Sequence, residues 1–260
     1  MFELNNIRMH RDGRDILAIE TLNIKSDALT VVLGHNGSGK STLVNLLSGQ
    51  VAPDAGTVSL NGHILTDLSA KGLAREIAFL PQKLPEVAGL TVRELVRLGR
   101  FPWRGTFGRW QKQDNDIINE AMAQTGTLPF ADSLADQLSG GERQRAWVAM
   151  LLAQQSPVLI LDEPTSALDI SHQYQLMALL ADLNTRTGCG IIVILHDLNL
   201  ALRYATDIVA LKQGRVVFNG PSREMLSEAQ LSELYGTDIK LIDHPVPAAS
   251  SQSNKVAVVC

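Results

Sequence analysis

The residues from Gly34 to Thr42, spelled GHNGSGKST, combine glycines with one lysine and three hydroxyl side chains. They follow the mostly apolar run 29–33 and precede apolar residues at helical spacing, the strand, loop and helix context of the pattern GxxxxGK[ST]. Glycines let the backbone turn its N–H groups toward phosphate oxygens, and the helix N-terminus adds a positive dipole end. We predict a nucleotide-binding loop formed by Gly34, His35, Asn36, Gly37, Ser38, Gly39, Lys40, Ser41 and Thr42.

The three side chains at the end of this loop have distinct expected roles. Lys40 should reach the β- and γ-phosphates of ATP, because an ammonium group is a compact partner for them. Ser41 offers a hydroxyl to Mg²⁺, and Thr42 offers a second hydroxyl to the nearer phosphates.

Two adjacent carboxylates, Asp162 and Glu163, end a second apolar run, 158–161. A buried strand of this kind delivers acids at its C-terminal end, where open α/β sheets bind nucleotides. We expect Asp162 to hold the Mg²⁺ shell and Glu163 to act as the general base for the water that attacks the γ-phosphate.

A second glycine-rich helix start lies at residues 138–142, spelled LSGGE. It has the form of an anion site at a helix N-terminus, although it contains no lysine. Ser139 and Glu142 also fit a capping box, which is compatible with an anion-binding role.

Composition narrows the class of protein. The formal charge of −4 over 260 residues gives no basic surface for nucleic acid. The longest wholly apolar run, 146–153, is far shorter than the roughly 18 residues of a membrane span, and no signal peptide is recognisable, so we expect a cytosolic chain. Cys189 and Cys260 are too few for a disulfide framework and wrongly spaced for a metal site.

The order of apolar patterns predicts an α/β fold. Residues 2–32 alternate as antiparallel strands, and later strand-like runs alternate with helical segments, which indicates a parallel sheet. A helical insert should occupy about 84–155. We expect one domain over 1–243 and a disordered Pro/Ala/Ser-rich tail over 244–260.

Five motifs in this order resemble those of the ATP-binding subunit of an ABC transporter: GHNGSGKST at 34–42, LPQ at 80–82, LSGGERQR at 138–145, LILDEPTSALD at 159–169 and LHD at 195–197. The resemblance implies a P-loop NTPase (RecA-like) core, an N-terminal antiparallel layer and a helical insert with the signature motif. It also implies a head-to-tail dimer, in which Ser139, Gly140 and Gly141 of one copy close over ATP held by Lys40 of the other.

The same resemblance gives roles to three further residues. Gln82 would sense Mg²⁺ and the attacking water, Asp169 would lie at the dimer interface, and His196 would contact the γ-phosphate. The implied partners are an integral-membrane permease and, indirectly, a periplasmic substrate-binding protein, which places the chain at the cytoplasmic side of the inner membrane.

Within that family, the stretches 90–105, 139–154, 166–173 and 195–205 are most similar to ATPases of ferric-siderophore importers, particularly the ferric hydroxamate system. The alternatives are a cobalamin or haem importer, an exporter, or a soluble ABC ATPase that acts on nucleic acid or ribosomes. The last class usually carries a coiled-coil insertion, tandem cassettes or a basic surface, none of which this sequence has.

Two regions of the chain carry further expectations. Many such ATPases stack adenine on an aromatic residue before the second strand, but this chain has no aromatic between Phe2 and Phe79, so Arg11 or His10 is the candidate for stacking. A docking patch for the permease is expected in the insert, where apolar and basic side chains cluster: Leu98, Arg100, Phe101, Trp103, Arg104, Phe107 and Trp110.

Overall fold

A six-stranded sheet forms the centre of the computed structural model, which describes residues 1–104, 109–225, 227–244 and 253–260. With numbering in chain order, the strands lie side by side as Arg215–Pro221 (β10), Asp207–Lys212 (β9), Leu29–Leu33 (β3), Gly190–Ile194 (β8), Val158–Leu161 (β7) and Ile77–Leu80 (β6). All neighbouring strands pair in parallel except β10, which is antiparallel to β9. The predicted parallel sheet is confirmed.

A second, antiparallel sheet precedes and flanks it. Its strands are Phe2–Arg11 (β1), Arg14–Ile24 (β2), Ala55–Leu60 (β4) and His63–Ile64 (β5), in the order β2, β1, β4, β5. Two tight turns, Asp12-Gly13 and Asn61-Gly62, have positive φ at both residues, as type I′ hairpin turns require. The predicted N-terminal antiparallel layer is therefore confirmed.

Nine α-helices lie within the described residues. They are Lys40–Leu47 (α1), Ala70–Glu76 (α2), Val92–Leu98 (α3), Phe101–Arg104 (α4), Lys112–Gln124 (α5), Gly140–Gln154 (α6), Ile170–Thr187 (α7), Leu198–Tyr204 (α8) and Glu228–Tyr235 (α9). Short 3₁₀ turns occur at Leu65–Asp67, Leu128–Phe130, Ala135–Gln137 and Ser222–Met225. In the part of the chain that the structure describes, no helix is long and apolar enough to cross a membrane.

Both faces of the central sheet are buried, which explains why its strands are almost continuously apolar. Successive side chains point to opposite faces, so Val31 packs with α6 and α7, whereas Val32 packs with α1 and the antiparallel sheet. The two cores hold the strand ends in a fixed register.

A buried ion pair between Arg100 and Asp114 holds the chain at the start of α4. It corrects the expectation that Arg100 belongs to an exposed docking patch. Arg100 is 7% exposed, and its Nε donates to Asp114 Oδ1 at 3.0 Å while a terminal nitrogen donates to Ala153 O at 2.9 Å. Arg104 also pairs with Asp114, at 3.4 Å. A buried guanidinium needs such partners, so these arginines pack against the rest of the helical insert and are not part of an exposed surface. Phe107 lies outside the described residues.

Opposing effects act on the pKa of the Asp114 carboxyl. Burial favours its neutral form, but the backbone N–H of Gln111 and the Arg100 guanidinium donate hydrogen bonds to the charged form, and the Arg100 and Arg104 charges favour it as well. The pKa of Asp114 is therefore held below its usual value.

The C-terminal end contains a strand, so the expectation of a disordered tail is wrong for Lys255–Val259 (β12). This strand pairs antiparallel with Ile239–Asp243 (β11), and residues 245–252 lie outside the described residues. Its β-branched residues, Val256, Val258 and Val259, suit a half-buried strand. The Pro- and Ser-rich composition of the preceding residues hid this pattern.

Candidate functional site

The loop between β3 and α1 has a backbone path that two glycines make possible. Gly34 has φ +148°, and a Cβ there would lie 2.3 Å from Leu211 O and 2.6 Å from Ser38 Oγ. Gly39 has φ +101°, and a Cβ there would lie 2.6 Å from Leu17 Cδ2. The loop therefore packs directly against the antiparallel sheet and β9, with no room for side chains at either position.

Lys40 is 5% exposed at the start of α1. Its ammonium group donates hydrogen bonds to Gly34 O at 2.8 Å and His35 O at 2.9 Å, at the beginning of the loop. Burial lowers the pKa of Lys40, and the nearby carboxylates of Glu163 and Asp162 oppose that shift. The cation is thus enclosed by its own loop and faces two acids.

Asp162 follows β7 and is fixed to the neighbouring strand by the hydrogen bond from its N–H to Leu80 O, at 2.9 Å. The Ser41 hydroxyl donates to Asp162 Oδ1 at 3.4 Å. Burial, and then repulsion by Glu163, raises the pKa of this carboxyl. Ser41 and Asp162 form a pair of hard oxygen donors, the type that Mg²⁺ prefers.

The Glu163 carboxylate joins two other predicted site residues. Gln82 Nε2 donates to Glu163 Oε2 at 2.5 Å, and His196 Nε2 lies 2.6 Å from Glu163 Oε1. The Glu163 side chain is 12% exposed, and its backbone has φ +48°, a left-handed conformation that is uncommon outside glycine. Such outliers concentrate at functional sites, where surrounding structure holds them.

These residues line one groove at the C-terminal edge of the central sheet. It is walled by Ile16, Asn36, Gly37, Gly39, Lys40, Ser41, Thr42, Gln82, Glu163 and His196. Of the other predicted residues, Asp162 lies beside Ser41, Gly34 and His35 accept hydrogen bonds from Lys40, and Ser38 is buried in the loop.

Ile16 is a groove residue that the sequence analysis missed. Its alternation within β2 marks it as part of a strand, but no sequence signal places it against the loop, because the contact depends on the packing of β2 over Gly39. His10, by contrast, contacts the carboxylates of Asp15 at 2.9 Å and Asp54 at 3.3 Å. Stacking by His10 or Arg11 stays a prediction.

The second predicted cluster does not line this groove. Ser139 caps α6 in a capping box: its N–H donates to Glu142 Oε2 at 3.0 Å, and its hydroxyl donates to the same oxygen at 2.6 Å. The hydrogen bonds from the Ser139 hydroxyl and N–H lower the pKa of Glu142. Both N-terminal features expected for this segment, the cap and the helix start, are confirmed.

Gly140 and Gly141 open α6 next to the start of α7. A Cβ on Gly141 would lie 3.3 Å from His172 Cδ2, so the glycine keeps this approach close. Asp169 caps α7 by accepting from His172 N at 2.9 Å, and it also contacts His172 Nδ1 at 2.8 Å. The structure therefore joins Asp169 to the glycine pair through His172, a residue that sequence reasoning had not selected.

The chain resembles known proteins along most of its length. The family model described as "ABC transporter" matches residues 18–166. The ferric enterobactin transport ATP-binding protein of Escherichia coli (strain K12) is 42% identical, over 87% of this chain and 83% of that protein. The iron(3+)-hydroxamate import ATP-binding protein of Bacillus subtilis (strain 168) is 40% identical, over 89% of this chain and 87% of that protein.

A solved structure has the same fold. It is the dimeric post-hydrolysis state of an ATP-binding cassette bound to ADP and Pi, which is 31% identical to this chain with a TM-score of 0.75. The similarity covers 86% of this chain and 99% of that one.

The packing of the loop glycines leads to a stability prediction. Gly34→Ala should lower the free energy of unfolding by about 2–3 kcal/mol, because its Cβ meets a backbone oxygen that cannot move away cheaply. Gly37→Ala is the matched control: Gly37 also has positive φ, at +77°, but a Cβ there meets nothing within 4 Å. It should cost about 1 kcal/mol. Urea unfolding of both variants measures the difference, and equal losses would contradict the packing argument.

Proposed function

Since this chain belongs to the ABC transporter family and is an ATPase of that type, we propose that it hydrolyses ATP to drive uptake of a ferric siderophore, in particular a ferric hydroxamate, through a separate membrane permease. The observation that carries the enzymatic part is the Glu163 carboxylate, which contacts Gln82 and His196 beside Lys40 and Asp162 in one groove. Residues 1–243 form the proposed ATPase domain, with a helical subdomain at about 84–155.

ATP occupies the groove in this proposal. The N–H groups of the glycine loop and the start of α1 surround its phosphates, and Lys40 exchanges the Gly34 and His35 carbonyls for β- and γ-phosphate oxygens. Thr42 contacts the nearer phosphates. Ile16 supplies an apolar wall for the remainder of the nucleotide, in a chain whose first two strands lack an exposed aromatic.

Mg²⁺ fits the oxygens beside the loop. The described residues contain no cluster of three or more His, Cys, Asp or Glu side chains, but Mg²⁺ ordinarily takes one or two carboxylates together with phosphates and water. Ser41 and Asp162 are the protein groups that would hold it, and Gln82 lies at the same edge of the groove. When bound, the ion neutralises charge that develops on the phosphate oxygens.

Glu163 is the proposed general base. It is bonded on one side by the Gln82 amide and on the other by the His196 ring, and these contacts hold the carboxylate in the groove that the nucleotide-binding loop also lines. A water molecule between Glu163 and the γ-phosphate would lose a proton to the carboxylate as its oxygen bonds to the γ-phosphorus. The bond from that phosphorus to the β,γ-bridging oxygen breaks and ADP leaves, while His196 donates to a γ-phosphate oxygen.

A second copy of the chain completes the site. Ser139, Gly140 and Gly141 begin a helix without lining the groove of their own chain, so they are available to the nucleotide of a partner copy. Asp169, which is joined to them through His172, lies at the proposed interface. The similarity to a dimeric cassette supports this head-to-tail arrangement.

The permease is proposed to dock on the exposed aromatic residues of the helical subdomain. Phe101 is 55% exposed, and Trp103 and Trp110 are each 40% exposed, with arginine side chains stacked on both tryptophans. Trp103 Nε1 donates to Gln154 O, and the Gln154 amide donates to Ile77 O at 3.1 Å, at the start of β6. Gln82 follows the other end of this strand, so β6 links the docking patch to the groove.

The assembly that follows from this proposal is an importer. The chain would sit at the cytoplasmic side of the inner membrane against the permease, with a periplasmic substrate-binding protein supplying the cargo from the opposite side. Relatives named for ferric enterobactin and for iron(3+)-hydroxamate support a siderophore as the cargo.

Glu163→Gln should bind ATP with unchanged affinity while kcat falls by roughly 10² or more, because a neutral amide cannot accept the proton. Lys40→Ala should instead weaken ATP binding itself, since the lost charge contacts the phosphates before and during the reaction. Nucleotide binding by calorimetry and phosphate release measure the two effects separately. Near-normal turnover by Glu163→Gln would refute its role as the base.

Ser139→Arg should abolish hydrolysis without preventing ATP binding to the isolated subunit, because this serine serves the nucleotide of the other copy. Mixing Ser139→Arg with Lys40→Ala subunits creates one intact composite site per heterodimer and one doubly damaged site. The mixed dimers should therefore regain ATP hydrolysis at that intact site. Heterodimers that form but release no phosphate would contradict an arrangement in which the two chains share each site.

The cargo and the docking patch are tested together in the complete transporter. Replacing Phe101 and Trp103 with serine should leave the ATPase of the free subunit roughly unchanged and abolish ligand-stimulated ATPase in proteoliposomes that contain the permease. Val51→Ser, at an exposed apolar residue outside the patch, is the matched control.

Uptake assays with a ferric hydroxamate, a ferric catecholate and haem identify the cargo. A deletion strain that still grows on ferric hydroxamate without a second importer would exclude that ligand.

A further inference from the structure

The hairpin of β11 and β12 is held on both of its outer edges by side chains from α9 and α8. On β11, Leu241 N donates to Glu228 Oε1 at 2.8 Å. On β12, the Asn199 side chain makes two hydrogen bonds with one residue: its Nδ2 donates to Ala257 O at 3.2 Å, and its Oδ1 accepts from Ala257 N at 2.8 Å. The Asn199 amide therefore pairs with β12 as a neighbouring strand would.

Asn199 also belongs to the turn that carries His196. After β8 the chain passes through Leu195 and His196 to Asp197, whose carboxylate caps α8 by accepting from Asn199 N at 2.7 Å and Leu200 N at 3.2 Å. The backbone of Asn199 is thus fixed by the helix cap, and its side chain is fixed by the hairpin. These bonds join β12 to the turn immediately after His196.

The C-terminal segment approaches the groove at two places. A crevice beside His196 is bordered by Tyr235, Ala257 and Val259, so residues of β12 and α9 form part of the surroundings of this histidine. At the end of α9, the Tyr235 ring meets the His35 ring of the phosphate loop edge to face, with centroids 5.6 Å apart. The segment therefore lies beside His196 and contacts His35 of the nucleotide-binding loop.

We propose that Asn199 and the C-terminal hairpin position His196 for ATP hydrolysis. The His196 side chain is 46% exposed and lies at a strand end. Neighbouring side chains therefore restrain its ring much less than they would restrain a side chain in the core. Its Nε2 lies 2.6 Å from Glu163 Oε1 and would turn to a γ-phosphate oxygen when ATP is bound. The bonds of Asn199 to Ala257 restrict the turn, and thereby the ring, to orientations within reach of both oxygens. This inference rests on the proposed role of His196.

The first test is Asn199→Ala, which removes both hydrogen bonds to Ala257. We expect kcat to fall about tenfold, because a small displacement of a catalytic group costs one to two orders of magnitude, while KM for ATP stays within about twofold. Ala257→Pro removes the N–H donor from the other side of the pair and should reproduce the same loss. Lys255→Ala is the control: it breaks the exposed 2.6 Å ion pair with Asp243 in the same hairpin and should leave kcat unchanged.

A double-mutant cycle separates positioning from general destabilisation. In a His196→Ala background, Asn199→Ala should change kcat by less than about twofold, because the group that it positions is absent. Equal losses in both backgrounds, or a wild-type kcat for a folded Asn199→Ala protein, would overturn the inference. If His196→Ala alone turned over at the wild-type rate, the proposed role of His196 would fail instead, and the inference with it.

Discussion

The site depends on the parallel register of four strands, β3, β6, β7 and β8, whose C-terminal ends meet at one edge of the central sheet. Each of these ends is followed by one part of the site: the nucleotide-binding loop, Gln82, the pair Asp162 and Glu163, and His196. No single contact assembles them. Because both sheet faces are packed into apolar cores, the strands cannot slide past one another without exposing side chains, and the polar groups keep their mutual distances.

This arrangement places charges where they reduce stability. Burial raises the pKa of the Asp162 carboxyl in the folded protein. At pH values between the pKa of this carboxyl in the unfolded chain and its pKa in the folded protein, the folded state therefore binds more protons than the unfolded state. Stability falls as pH rises through that interval, and the full cost is present above the folded pKa. Burial lowers the pKa of Lys40, so the folded protein also holds that cation at a cost below the folded pKa. In the proposed complex, a phosphate chain beside Lys40 would relieve this cost, so ATP binding would stabilise the folded protein.

The sequence was sufficient for those features that local pattern determines. The loop from Gly34 to Thr42 was predictable because a motif and its strand-helix context coincide, and the strand that delivers Asp162 because an apolar run ends in acids. The burial of Arg100 was not predictable, since it depends on Asp114, which lies beyond an intervening segment. The position of Ile16 in the groove and the existence of β12 were not predicted for the same reason, because both depend on packing between distant parts of the chain. In addition, β12 follows a Pro- and Ser-rich stretch.

The two glycine-rich helix starts solve different physical problems. The first encloses Lys40 and lies among acids, so it can hold a highly charged ligand within one chain. The second uses Ser139 and Glu142 to satisfy its own N-terminal N–H groups, and residues 138–142 contain no lysine. A helix start of this type binds phosphate weakly alone but adds hydrogen-bond donors to a nucleotide that is already held elsewhere. In the proposed dimer, each start therefore supplies what the other lacks, and ATP becomes the element that joins the two chains.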